Sequence, residues 1–393
     1  MKRIARGAWA VIAGLLALVS LTWGQPGVTD SEILIGSCSA LEGPANFLGT
    51  QTVLGARAYL NHINDQGGIH GRKIKLVAYD DSYEPGKAIE CFNRLKKDQV
   101  FAAGFFVGTP TGAKHAPMAE SAKIPLIGLF TGAQLLHEPF RRYVINVRAS
   151  YYDEAREQVD NLWNALGMRK IAVIYQNDAF GVTVLEGVKL ALKKYNAAPV
   201  AQGSFLRNTL DVDSGIDLVR AANPEAVVMV GSYAPIAEIV KRGRAAGWNP
   251  LYLTVSFVGT EAFIKAAGKD GEGVVITQVV PPPDRADLPA VALYHEALKQ
   301  YFPEAEPNFV SLEGFVDAMV LVEGLRRAGR DLTREKLIDA IESIKDLDIG
   351  LGPQLKLTYG PQDHKGFKTV YDTMVRAGQA AVFADWRELK QSL

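Results

Sequence analysis

The chain has 393 residues, a length that favours two domains over one. Hydrophobic residues make up 48% and charged residues 22%, and 43 basic side chains balance 43 acidic ones. The excess of positive charge that nucleic acid and anionic membrane surfaces attract is missing, so the composition speaks against both as partners.

The first residues have the pattern of a targeting segment. A basic start, MKRIAR, precedes the apolar run AWAVIAGLLALVSL and the small residue Gly24. This run has 14 residues, fewer than the ~20 that cross a membrane, so the pattern favours a secretory signal peptide over an uncleaved anchor. We predict that residues 1–24 are removed and that the mature chain is exported without stable membrane insertion.

The chain has two cysteines, Cys38 and Cys91. An exported protein with an even number of cysteines permits one disulfide, which makes a Cys38–Cys91 bridge a candidate. The spacing of the two residues leaves a pair of buried free thiols as the alternative.

Apolar runs typical of buried strands alternate with helical segments. EILIGSCSA predicts a strand, and in the segment after it Ala56, Tyr59, Leu60 and Ile63 share one face of a helix. Later strands are predicted at KIKLVAYDD, VFAAGFFVG and IPLIGLF. The same alternation of strands and helices begins again with the predicted strands RKIAVIY, AVVMVGSY, PLYLTVSF and GVVITQVV. This alternation implies parallel strands with helices on both faces, in two similar α/β units.

Motifs of known reaction machinery are missing. The chain has no G-x-S-x-G elbow, no P-loop and no dinucleotide-binding glycine pattern after the first strand. Its six histidines are scattered without metal-ligand spacing, and Cys38 has no base near it in the sequence. We therefore predict no catalytic residue, no metal and no cofactor, although a site assembled from distant residues escapes a motif search.

The stretch FFVGTPTGAKHAP ends a buried strand with glycine and threonine and enters a helix at once. In an open parallel sheet the carboxyl ends of the strands line the ligand cleft, and the free N–H groups of a helix start point into it. Thr109, Thr111 and Gly112, together with Thr131 and Gly132 after the next strand, therefore suit a carboxylate or similar anion. Two ordinary capped helix starts with water in the cleft are the alternative.

The second unit places aromatic residues at its own strand ends. YQNDAFG contains Phe180, GSYAP contains Tyr233, and VSFVG contains Ser256 and Phe257. Rings at such ends can wall an apolar pocket, although each ring taken singly is more often simple packing.

Five segments, in this order, resemble the periplasmic solute-binding proteins of the leucine/isoleucine/valine-binding type: INDQGGIHGRKIKLVAYDDSYEP, GTPTG, IPLIGLFTGA, IAVIYQNDAFG and RAAGWNPLYLTVSF. The resemblance runs from about Glu32 to near the C-terminus. It implies the type I fold, in which two doubly wound parallel-sheet lobes are joined by three hinge crossings. On this basis we predict an N-terminal lobe of residues 30–148 plus 279–350, and a C-terminal lobe of residues 149–278 plus 351–393.

The same resemblance implies the ligand contacts. The family's carboxylate contacts fall on Thr111, Gly112, Phe130, Thr131 and Gly132, its second-lobe wall on Phe180 and Tyr233, and a contact to the ligand side chain on Leu48. Gly112 stands where the family often has serine, so only its N–H can serve. The family's amino-acid binders use an acid near Ser256 to pair the ligand's ammonium. Ser256 is not an acid, which puts an α-amino acid in doubt because a buried ammonium needs a counter-charge. Glu42 is another source of that charge, unless it is simply solvated.

Together these patterns predict a monomeric, non-enzymatic binding protein that closes by hinge motion on a small carboxylate-bearing ligand, which is an amino acid, an amide or an apolar or aromatic acid. The resemblance implies the permease and ATPase subunits of an ABC importer as partners. A periplasmic ligand-sensing protein that hands its ligand to a receptor is the alternative. An enzyme on a doubly wound fold is a third reading, which the missing motifs disfavour.

Overall fold

The structure is a computed structural model that describes residues 25–391. The predicted signal peptide lies outside the described residues. Between residues 25 and 391, none of the helices combines the length and the apolar composition that crossing a membrane requires.

The first lobe begins with alternating strands and helices. Its strands are β1 (Glu32–Ser39), β2 (Lys73–Asp80), β3 (Ala102–Val107), β4 (Leu126–Phe130) and β5 (Val144–Ile145). The helices between them are α1 (Asn46–Asp65), α2 (Pro85–Lys97) and α3 (Thr109–Ala122). All five strands pair in parallel in the order β2-β1-β3-β4-β5. Neighbouring side chains on β3 enter different cores, Phe105 on one face of the sheet and Phe106 on the other.

The second lobe continues the same alternation. Its helices are α4 (Tyr151–Asn161), α5 (Ala179–Lys193), α6 (Asp213–Ala221), α7 (Tyr233–Ala245) and α8 (Thr260–Ala267). Its strands are β6 (Ile171–Gln176), β7 (Gln202–Phe205), β8 (Ala226–Val230), β9 (Leu251–Thr254) and β10 (Val275–Gln278). These five strands are parallel, as the sequence predicts.

The chain then returns to the first lobe and ends in the second. The returning elements are α9 (Pro289–Tyr301), α10 (Phe309–Ala328), α11 (Arg334–Glu342), β11 (Leu347–Asp348) and β12 (Lys356–Leu357). The last strands, β13 (Tyr371–Arg376) and β14 (Gln379–Val382), pair antiparallel at the edge of the second sheet, whose order is β14-β13-β10-β9-β8-β6-β7. The lobes are therefore joined at residues 146–150, at 279–288 and before β13.

The segment that follows the predicted boundary at residue 350 packs with residues of the first lobe. Leu351, Leu355, Tyr359 and Phe367 are buried in the core of the first lobe. β12 also pairs with β11, which keeps this segment on the first lobe until Phe367. The sequence pattern does not separate this short local pair from the antiparallel strands that follow it.

One disulfide ties the first lobe together near its strand ends. Cys38, the second-last residue of β1, is disulfide-bonded to Cys91 of α2, and their Cα atoms are 5.9 Å apart. Within the described residues no cysteine is free. The bond holds α2 against the end of β1, where the loops of the interlobe cleft begin.

Candidate ligand-binding cleft

The two threonine-containing turns lie side by side at one edge of the first sheet. β3 and β4 are parallel neighbours, with Val107 opposite Phe130, so the residues that follow each strand meet. Thr109 and Thr131 are buried, and their hydroxyl oxygens are 2.7 Å apart. The turns of β3 and β4 therefore form one polar corner at the carboxyl ends of the strands.

Helix α3 begins directly after Gly108. The φ angle of Gly108 is 103°, and a Cβ there would lie 2.2 Å from Cε2 of Tyr83, so no other residue fits without displacing that ring. The Thr111 hydroxyl donates to the Val107 carbonyl at 2.6 Å, and the Gly112 N–H donates to the Gly108 carbonyl at 3.0 Å. Neither group is the free donor that the sequence predicts, because both close the first turn of α3.

The turn after β4 does not start an α-helix, which corrects the predicted second helix start. Only a single 3₁₀ turn follows, at Gln134–Leu136. The Thr131 N–H donates to the Leu129 carbonyl at 2.7 Å, and the Gly132 carbonyl accepts from the Tyr151 N–H at 2.7 Å. Gly132 therefore rests against the chain of the first crossing. A Cβ on it would lie 2.7 Å from the Tyr151 nitrogen.

Five buried aromatic side chains meet between the lobes and are called the cleft rings: Tyr83 and Phe130 of the first lobe, and Tyr151, Phe180 and Phe257 of the second. The Phe257 ring is central, with its centroid 4.5 Å from Phe180, 5.6 Å from Phe130 and 5.8 Å from Tyr83. Tyr151 lies 5.2 Å from Phe180. The rings form a continuous apolar surface that belongs to both lobes.

Contacts around the rim show that the lobes are closed on each other. Arg207 of the second lobe is 2.8 Å from the Glu84 carboxylate of the first. A Cβ on Gly259 would lie 2.6 Å from Cδ2 of Leu48 across the cleft. Tyr233 is only partly buried and lies at the edge of the same hydrophobic cluster. Leu48 and Tyr233 thus border the cleft rings from opposite lobes.

A buried ion cluster underlies the cleft. Arg148, in the first crossing, is 2% exposed. Its guanidinium is 2.8 Å from the Glu154 carboxylate of α4 and 3.2 Å from the Glu313 carboxylate of α10. Because α4 belongs to the second lobe and α10 to the first, Arg148 joins both lobes at the base of the cleft.

Ser256 connects this cluster to the predicted site. Its N–H and its hydroxyl donate to the two oxygens of Glu154, each at 2.9 Å, and its hydroxyl accepts from Arg148. The Thr277 hydroxyl donates to Glu154 at 2.6 Å. A carboxylate therefore does stand beside Ser256, although residue 256 is not an acid. Glu42, the other predicted source of negative charge, is exposed on the loop after β1.

Burial shifts the ionisation of the groups around Arg148. It raises the pKa of the Glu313 carboxyl, and it raises that of the Asp317 carboxyl well above its usual range, while the charge of Arg148 opposes both shifts. Burial also raises the pKa of the Tyr151 phenol. Arg148 and its two carboxylate partners are thus the charges that decide the electrostatics of this end of the cleft.

Sequence reasoning located the strand ends but missed several side chains that meet there. Tyr83, Arg148, Tyr151 and Glu154 were not among the predicted site residues, and Phe257 was noted only as a ring at a strand end. The one available signal was that the charged residue Arg148 stands inside the stretch INVRAS.

Comparison with known proteins identifies the family. A family profile described as periplasmic binding protein matches residues 32–380. The chain belongs to this family, within its leucine/isoleucine/valine-binding type. A solved structure, a possible leucine/isoleucine/valine-binding protein from Rhodopirellula baltica SH 1, is 35% identical, with a TM-score of 0.87 over 91% of this chain and 98% of that one.

Curated relatives of this binding protein agree. The Leu/Ile/Val-binding protein of Escherichia coli (strain K12) is 23% identical over 363 residues, which cover 91% of this chain and 94% of that protein. The amino acid binding protein of Pseudomonas aeruginosa is 27% identical over 260 residues, covering 65% of this chain and 69% of that protein. The predicted family and the type I fold of two parallel-sheet lobes are confirmed.

Proposed function

We propose that the chain binds a small carboxylate-bearing ligand with an apolar body in the cleft between its lobes, and that closure of the lobes is the signal passed on. The observation that carries this proposal is the meeting of threonine hydroxyls from the strand ends of the first lobe with cleft rings from both lobes. Apolar walls with a few convergent polar groups are the usual composition of a small-molecule site.

The polar corner supplies the groups for an anion. Two hydroxyls 2.7 Å apart share one hydrogen bond, so one of the two protons of Thr109 and Thr131 stays available to a ligand oxygen. The first N–H groups of α3, including that of Thr111, have no partner within the helix, and the positive end of the helix dipole favours negative charge there. We expect Thr111 and Gly132 to act through their main chains.

The cleft rings supply the grip for the rest of the ligand. A ligand that contacts Phe130 on one side and Phe180 or Phe257 on the other stabilises the closed form and shifts the population toward it. We propose that the chain works in the periplasm as a monomer, and that an ABC permease with its ATPase recognises the closed shape. Neighbouring genes for such subunits would support import over ligand sensing.

A binding experiment tests this function. A thermal-shift screen over amino acids, short amides and apolar or aromatic acids identifies the ligand, because a molecule that binds only the native state raises Tm. The double variant T109V/T131V should then bind that ligand roughly 10- to 100-fold more weakly in calorimetry, the usual effect of losing hydrogen bonds to a charged group.

The matched control is T373V. Thr373 is a buried threonine of β13 whose hydroxyl donates to the Ile276 carbonyl in the second sheet, so its loss should leave affinity unchanged. Unchanged affinity in T109V/T131V would contradict the proposed site. Scattering curves that superimpose with and without ligand would contradict the proposed closure.

A further inference from the structure

Two side chains of the second lobe reach across to the first lobe at the edge of the cleft. Nε2 of Gln176, the last residue of β6, donates to the Tyr83 hydroxyl at 3.1 Å. On the loop after β7, the Arg207 guanidinium is 2.8 Å from one oxygen of the Glu84 carboxylate, and Asn208 donates to the other oxygen at 2.7 Å. The guanidinium carbon of Arg207 also lies 5.8 Å from the centre of the Tyr83 ring. Gln176 and Arg207 are therefore two arms through which the second lobe holds adjacent residues of the first.

One carboxylate of the second lobe holds both arms. Oδ2 of Asp178 accepts from Nε2 of Gln176 at 2.6 Å and from the Arg207 guanidinium at 3.1 Å. Oδ1 accepts from the N–H groups of Phe180 and Gly181, which makes Asp178 the N-cap of α5. The Asp178 side chain is only 10% exposed. Both arms are thus anchored on a buried group that also fixes the backbone of the cleft ring Phe180.

This carboxylate determines the orientation of each arm. An ionised carboxylate only accepts hydrogen bonds, so the Gln176 amide must turn its NH2 group toward Asp178, and the second N–H of that group then reaches the Tyr83 hydroxyl. One terminal nitrogen of Arg207 binds Asp178, which leaves the other for Glu84. Burial raises the pKa of the Asp178 carboxyl, and its hydrogen bonds to the two arms oppose that shift. Asp178 therefore acts on the first lobe through the side chains that it orients.

We propose that Asp178 is a positioning residue for closure, which orients Gln176 and Arg207 so that both reach the first lobe and thereby sets how tightly the closed form is held. The contacts of these arms with Tyr83 and Glu84 join different lobes, so closure makes them and opening breaks them. Their loss should lower the affinity for every ligand of the cleft by the same factor. This inference rests on the proposed function and adds a residue that acts on its closure step.

The variant D178S tests this role while the helix cap is kept. Serine is about as good an N-cap as aspartate, so its hydroxyl oxygen still accepts an N–H at the start of α5. It has no second oxygen for the arms, so Gln176 and Arg207 lose their anchor. Calorimetry with the tightest-binding carboxylate of the thermal-shift screen should show roughly tenfold weaker binding, the combined effect of one neutral hydrogen bond and one partly exposed ion pair.

A double-mutant cycle separates positioning from a general structural role. Y83F/E84A removes the first-lobe targets of both arms, so in that background D178S should weaken binding by less than about twofold. A further tenfold loss there would mean that Asp178 does not act through the arms, and would overturn the inference. Urea unfolding followed by circular dichroism establishes that each variant is folded. If D178S is not folded, D178N replaces it, since it keeps the cap without the charge that pairs with Arg207, and its effect should likewise disappear in Y83F/E84A.

The matched control is D213S. Asp213 of α6 pairs with Arg242 of α7 at 2.6 Å, an aspartate–arginine pair that lies wholly within the second lobe, so its loss should leave affinity unchanged. D178S should also weaken two carboxylates with different apolar bodies, 3-phenylpropanoate and 4-methylpentanoate, by the same factor.

Two results for D178S would overturn the inference and leave the proposed function intact. One is an affinity equal to that of the wild type in a folded variant. The other is a change in the ratio between the two carboxylates, because Asp178 would then act on the ligand and not on closure. If no carboxylate of the screen binds the wild type, the proposed function and this inference are both overturned.

Discussion

Replacing Phe257 by alanine should open the cleft. Phe257 is fully buried in the second lobe, and its ring meets two rings of the first lobe, Phe130 at 5.6 Å and Tyr83 at 5.8 Å between centroids. These two contacts exist only when the lobes are closed. F257A therefore removes interactions from the closed state that the open state never had.

The size of the effect follows from those two pairs. Aromatic pairs contribute about 0.5–1.5 kcal/mol each beyond the area they bury, so the closed state loses about 1–3 kcal/mol. In the proposed function ligand binding depends on the closed state, so affinity should fall by the same free energy, which is roughly 5- to 150-fold. The third contact, with Phe180, lies within the second lobe and contributes to the stability of that lobe instead.

Calorimetry with the ligand from the screen, paired with small-angle scattering, measures affinity and closure. The matched control is F263A: Phe263 is also a fully buried phenylalanine of the second lobe, but it lies in the outer core, away from the cleft rings. Both variants should lose about 3–5 kcal/mol of unfolding free energy, the usual cost of Phe→Ala in a core. Only F257A should lose affinity. Equal affinities for F257A and wild type, or an equal loss in F263A, would refute the reasoning.

Three further perturbations separate stability from closure. Removing the disulfide in C38A/C91A should lower the unfolding free energy by about 4 kcal/mol, the chain-entropy value for a sequence separation of 53 residues, and a change below about 1 kcal/mol in urea unfolding would contradict this. Burial raises the pKa of Glu261 to about 7, so the folded state binds its proton more tightly and unfolding free energy should fall as pH rises from about 4.5 to 7. E261Q should flatten that dependence, by up to about 3 kcal/mol over this range, and equal slopes for variant and wild type would exclude the contribution. G132A should weaken ligand binding, because its Cβ would lie 2.7 Å from the Tyr151 nitrogen in the first crossing, whereas G112A, with its nearest contact at 3.6 Å, should keep affinity and gain up to about 1 kcal/mol of stability from the better helix former. Calorimetry and thermal unfolding of the two glycine variants check this pair, and an equal loss of affinity in both would contradict it.

The alternation of strands and helices was predictable because it depends on local patterns. Each parallel strand is a short apolar run, and each helix carries a periodic apolar face, so both elements are visible without knowledge of the tertiary fold. The third crossing was not predictable in this way. Leu355 and Tyr359 are buried in the same hydrophobic core as residues of α10 and α11, which is a property of the folded chain and not of their own segment.

Part of the candidate site was likewise predictable from local sequence, and part of it was not. The rule that ligands bind at the carboxyl ends of parallel strands led from sequence to the turns at Thr109 and Thr131, which the structure places in contact. Local sequence did not indicate that Gly112 is the fourth residue of α3, where the N–H makes the first intrahelical bond. Arg148 escaped prediction because its partners Glu154 and Glu313 belong to different lobes, and a single sequence does not report which helices meet at a hinge.

In the proposed mechanism the two lobes contact different parts of the ligand, because polar and aromatic side chains are distributed unequally between them. The first lobe holds the polar corner, whereas the second contributes three of the five cleft rings. An acid held only by the first lobe leaves much of its apolar body in water, and burying that body against Phe180 and Phe257 is the gain that drives closure. Formate or acetate would occupy the corner without this gain. In the proposed mechanism, closure therefore requires both parts of the ligand: the first lobe binds its charge, and the second lobe buries its apolar body.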